Sequence, residues 1–127
     1  MELNFGDFAK GSSTTLFDEF IGACLMSSVF AHSAHFATKS YEKHMAYEYF
    51  YDEMPSKIDA FAETYMGSGF QYKPVLKSGN VDFGDYIKRL AQLAEEVSAK
   101  APNAVLKTTA DDIQQLCRQT IYKLSLG

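Results

Sequence analysis

The sequence predicts an all-α four-helix bundle, two helical hairpins joined by one long crossover, and three observations lead there. Apolar residues recur at helical spacing along most of the chain, and strict alternation persists nowhere. Proline and glycine punctuation divides the chain into periodic stretches. A length of 127 residues suffices for one core and is too short for two, so the stretches must share a single domain.

The elements follow in order. Residues 1–13 read as a tail, and Thr15 followed by Asp18 offers an N-cap with an acid in the first turn, opening a helix over 14–37. A second helix is predicted over 40–66, starting near Ser40 and stopped by Gly67. Pro55 falls inside it and removes a backbone donor, which predicts a kink near Met54 or two shorter helices. Residues 67–81 mix glycine, proline and polar residues and read as the crossover. Asp82 can cap a third helix over 82–101, where Phe83, Tyr86, Ile87, Leu90, Ala94 and Val97 keep helical spacing until Pro102. The fourth helix, 104–125, carries Ile113, Leu116, Cys117, Thr120 and Leu124 on its inner stripe. Two hairpins with one long connection make a bundle of the ferritin-like kind.

The first helix is apolar nearly all round, with Phe17, Ile21 and Cys24 on one side and Met26 and Phe30 roughly opposite. A helix of that type is buried on more than one side, which predicts a homo-oligomer, at least a dimer. The alternative cover is the tail and the crossover. No formal charge falls between Glu19 and Lys39, yet Ser27, Ser28, His32, Ser33 and His35 interrupt the run, and no membrane span is expected.

Hydrophobic residues at 46% and charged residues at 22% describe an ordinary folded domain. A formal charge of -4 argues against general affinity for nucleic-acid phosphates or anionic lipid. With Lys10 as its one basic residue, the tail is not expected to bind DNA. The N-terminus lacks the basic and apolar blocks of a secretory signal, so a cytoplasmic location is expected. Cys24 and Cys117 are too few for a disulfide framework and belong to no zinc pattern; both read as buried thiols.

Chemistry concentrates in one region. His32, His35 and His44 fall within thirteen residues. From His44 the same helical face carries Glu48, Tyr51 and Asp52, passes Pro55, and reaches Asp59 and Glu63, four apart. Six acids face two lysines in residues 40–66, and a divalent cation held by imidazole and carboxylate would relieve their repulsion. Iron, manganese and zinc all suit such ligands. The bland reading is a solvated acidic face beside interface histidines.

The run HSAHF at 32–36, followed by His44 and by Asp59-Ala-Phe-Ala-Glu63, resembles the signature of Dps proteins, the small ferritins that protect DNA during starvation. The resemblance implies a dinuclear ferroxidase site between two-fold related subunits, with His35 and His44 from one chain and Asp59 and Glu63 from the other. Glu48 stands where that family often has another acid. The implied activity is oxidation of Fe(II) by oxygen or peroxide. His35 keeps the family's HxxH-aromatic register but lies nine residues before His44, whereas His32 restores the family's interval of twelve, so either may be read as the first ligand. Phe36 replaces the usual tryptophan. The block HFATKSYEKHMAYEYFYDEM is also similar to small proteins of tailed bacteriophages. That likeness implies an alternative: a helical adaptor in the host cytoplasm that binds a host or virion protein and uses no catalytic metal.

Overall fold

The computed structural model describes residues 14–127. The tail at 1–13, with the expectation that it does not bind DNA, lies outside the described residues. Four helices follow one another: α1 Leu16–Ala37, α2 Tyr41–Gly67, α3 Phe83–Lys100 and α4 Ala104–Ser125. There is no strand among the described residues, and the architecture is an all-α four-helix bundle.

Each helix begins on a side chain that takes up an orphan N–H of the first turn. Thr15 and Asp18 form a reciprocal capping box, while Ser40, Asp82 and Asn103 accept from the backbones of Lys43, Asp85 and Leu106. The stop of α2 differs from the expectation. Gly67 is its last residue, and the left-handed position belongs to Gly69, at φ +98°. There Gly69 N donates to the Met66 carbonyl and Phe70 N to the Tyr65 carbonyl, and the Phe70 ring stacks on Tyr65 at 5.1 Å. This is a Schellman closure with its hydrophobic contact. Pro55 does not divide α2, which runs as one helix to Gly67. The proline stands on the exposed side, where solvent reaches the Tyr51 carbonyl that loses its helical partner.

Contacts between helices fix the topology. The start of α1 meets the end of α2 through Phe17 and Tyr65, and α3 begins beside the other end of α1, where Phe30 packs edge-on against Tyr86. Asn103 bonds to Ser68, and Tyr49 to Gln119, so α4 runs antiparallel to α2. The chain must therefore traverse the length of the bundle between α2 and α3, and residues 68–82 do so along α1. Lys73 N donates to Asp18 Oδ1 at 3.0 Å, and the Val75 carbonyl lies against Gly22. Two residues of extended chain and one turn of helix both cover about 6 Å, which lets the strap stay in step with α1.

One cluster joins all four helices, with Phe20, Phe50, Phe61, Ile87, Leu106 and Ile113 fully enclosed. α1 is long and apolar enough to cross a membrane by length and composition, at mean hydropathy 1.3, yet its Phe20, Ile21, Cys24 and Ala31 belong to this core. Both cysteines are buried thiols. The strap covers one side of α1, while Leu25, Val29 and Phe36 remain exposed along another.

Asp18 ties cap and strap together. It is fully buried, and its carboxylate accepts from Thr15 N, Thr15 Oγ1 and Lys73 N. Asp18→Ala is expected to cost about 2–3 kcal/mol in chemical denaturation, since the cap is lost and the Lys73 N–H loses its acceptor. A loss within about 0.5 kcal/mol of wild type would show that the strap holds without it.

At the α3–α4 corner, Asp111 accepts from Ser98 Oγ and pairs with Lys107 at 3.0 Å. The Ser98 hydrogen bond, followed by Lys107, holds its carboxyl below the ordinary aspartate range despite some opposing desolvation. A carboxyl depressed in the folded state contributes stability above its unfolded pKa and loses it as pH falls through the folded one. Asp111→Asn is therefore expected to flatten the acid limb of the stability profile, measured by urea midpoints from neutral to acid pH. An unchanged limb would remove Asp111 from the acid response.

Candidate metal centre

The turn from α1 to α2 is tight, residues 38–40, and brings the last turn of one helix against the first turns of the next. His35 falls on the side of α1 facing α2, and His44 on the answering side of α2. Their rings stack with centroids 3.6 Å apart and planes 22° from parallel. Each Nδ1 lies 2.9 Å from the other residue's backbone carbonyl oxygen. A carbonyl only accepts, so each Nδ1 carries the proton and donates. Since α1 ends at Ala37, the His35 carbonyl lies among the last four of the helix, which have no intrahelical donor, and His44 supplies one.

The consequence is chemical. With both Nδ1 atoms donating to backbone, Nε2 of each neutral imidazole carries the free lone pair, the arrangement in which a ligand histidine is oriented by a carbonyl behind it. Glu48, one turn beyond His44 on α2, brings a carboxylate to the same place. One ligand atom from each of His35, His44 and Glu48 falls within 4.8 Å of the other two. His35 is buried, and His44 and Glu48 are half-buried. Two borderline nitrogens and one hard oxygen form a donor set that fits Fe(II), Mn(II) or Zn(II).

Aromatic side chains wall the corner. Tyr51 meets His35 edge-on at 5.3 Å and stacks on His32 at 4.4 Å, and His32 also stacks on Phe36 at 4.9 Å. Desolvation, then the charges of Glu48 and Asp52, push the Tyr51 phenol above its ordinary pKa. His32 is exposed and stands beside the three-residue group rather than in it. Asp59 and Glu63 are exposed on α2, fifteen residues or more from His44, which is roughly 22 Å along the axis. Within one chain they do not meet the histidines.

Sequence reasoning missed how the corner holds the rings. The carbonyls come from the two histidines' own backbones, and no side-chain pattern announces them. Tyr51 was visible as a residue on the His44 face, though its contact with both first-helix histidines needs the antiparallel packing of α1 and α2.

Together these features define a helical bundle with a histidine-carboxylate corner at one end. The chain belongs to DUF5856, a family of unknown function, which matches residues 35–124 and so takes in His35, His44, Glu48, Asp59 and Glu63 but begins after His32. It is 34% identical over 127 residues to a protein of Enterobacteria phage T4 described as an uncharacterised 14.6 kDa protein in the mobD-ri intergenic region, an alignment covering 98% of this chain and 99% of the relative. The likeness to small phage proteins therefore stands. No solved structure matches the chain.

Proposed function

We propose that the protein binds a divalent transition metal at His35, His44 and Glu48, and that with Fe(II) as substrate the site acts as a Dps-like ferroxidase completed by a second copy of the chain. The observation that supports it most is the reciprocal pair of Nδ1-to-carbonyl hydrogen bonds, which leaves two oriented Nε2 donors beside a carboxylate. Each Fe(II) gives up one electron, so one peroxide accepts those of two irons and leaves as water, with protons drawn from solvent.

The second copy enters through α2. His44 and Glu48 are one turn apart near its start, and Asp59 and Glu63 one turn apart further on. The axial midpoint of His44 and Glu63 coincides with that of Glu48 and Asp59, between Glu53 and Met54. An antiparallel pairing of two α2 helices about that point sets each histidine level with the partner's acid pair. The exposed apolar stripe of Leu25, Val29 and Phe36 on the neighbouring α1, with Phe36 74% exposed, gives such a dimer area to bury.

A second reading draws on the same stripe. If Leu25, Val29 and Phe36 instead receive a host or virion protein, the bundle is an adaptor and its histidines only a structural clasp. Anaerobic loading with Fe(II), addition of peroxide and ferric absorbance separate the two. Oxidation well above buffer, lost in Asp59→Ala as well as in His35→Ala, is expected for the ferroxidase; oxidation no faster than buffer overturns it and leaves the adaptor.

A further inference from the structure

We propose that a separate cavity, on the other side of the α1–α2 corner, binds a small zwitterion that carries an ammonium and a carboxylate on an apolar body, such as a free α-amino acid with a large apolar side chain. It lies between the end of α1, the start of α2 and the last residues of the crossover, and is an open cleft of about 370 Å³. That volume falls in the range of small-molecule sites, roughly 300–1,000 Å³. The inference does not rest on the metal reading, because its residues are Lys43, Tyr47 and Asp82 rather than His35, His44 and Glu48.

The lining sorts by chemistry. Phe30, Ala34 and Phe83 give apolar walls, and the Phe83 ring meets Tyr47 edge-on at 5.6 Å. Lys43 and Asp82 bring opposite charges to the same cavity, and neither forms an ion pair among the described residues. One carboxylate oxygen of Asp82 caps α3 by accepting from Asp85 N, and the other accepts no hydrogen bond among the described residues. Tyr47 is half-buried on the same lining and brings a phenol hydroxyl that can donate.

A simple anion would meet Lys43 together with Asp82, and a simple cation the reverse. A molecule bearing both charges satisfies each group with its complement, while its apolar body replaces water against Phe30 and Ala34, which are half-buried. Two charge-assisted contacts and one aromatic body lead to millimolar binding or tighter.

The test is calorimetric titration of the full chain with L-phenylalanine, beside phenylacetate, which lacks the ammonium, and phenethylamine, which lacks the carboxylate. L-phenylalanine is expected to bind at about 1 mM or below, at least about tenfold more tightly than either truncated compound. Asp82→Asn keeps the helix cap, since asparagine caps as well as aspartate, and removes the charge. Lys43→Met keeps the aliphatic stem. Each variant should lose about tenfold in L-phenylalanine affinity. Equal affinity for the three compounds, insensitivity to both variants, or no saturable binding up to about 10 mM overturns the proposal.

Discussion

Gly22→Ala is expected to destabilise the bundle by about 3 kcal/mol, although alanine at a helical position normally gains up to about 1 kcal/mol over glycine. Gly22 is buried inside α1, and a Cβ built there would stand 1.7 Å from the Val75 carbonyl oxygen and 2.9 Å from its carbon. Both atoms are backbone, so no rotamer change makes room and the strap itself must retreat. Lys73, two residues earlier, would be carried away from Asp18, leaving a buried carboxylate without one of its donors. The comparison is Gly67→Ala at the end of α2, where the new methyl meets nothing within 4 Å and a gain of about 0.5 kcal/mol is expected. Opposite signs in urea denaturation support a strap pressed on α1; two gains would mean that the strap yields freely. Because Asp18 and Gly22 hold the same segment, the double variant Asp18→Ala, Gly22→Ala should cost less than the two singles together.

That segment marks the limit of what the residues alone disclose. Thr15, Ser40 and Asp82 are readable as caps because capping is local: the side chain bonds to a backbone three residues on. The glycines past α2 are readable as a stop, yet choosing between Gly67 and Gly69 depends on which carbonyls are left to accept and on the ring of Phe70 finding Tyr65. The contact of Gly22 with Val75 spans 53 residues and leaves no periodic trace. The same division runs through the candidate metal centre. His44 and Glu48 are one turn apart on any helix, so their shared face is legible. The choice between His35 and His32 is not, because it depends on how far α1 winds before the turn. Winding sets His35 against His44 and leaves His32 to stack on Tyr51 and Phe36.

His44→Ala is expected to lower affinity for Zn(II), a redox-silent probe, by about 100-fold or more, with His35→Ala close behind. Each substitution removes an Nε2 donor and the ring stacked against the other imidazole, while that imidazole keeps its own Nδ1 bond to the backbone carbonyl across the corner. Binding to the folded chain alone raises stability by mass action, about 2.7 kcal/mol at a free-metal concentration of 100 times Kd. Chelation should therefore lower the melting temperature of the wild type and leave that of His44→Ala unmoved. The metal-free variant forfeits only one hydrogen bond at a helix end, about 1 kcal/mol or less, so loss of binding is separable from loss of fold. His32→Ala supplies the contrast. Its ring is exposed and outside the three-ligand group, and Zn(II) affinity should change by less than about threefold. If His32→Ala instead matches His44→Ala while His35→Ala binds normally, the twelve-residue spacing governs and the stacked pair is a clasp.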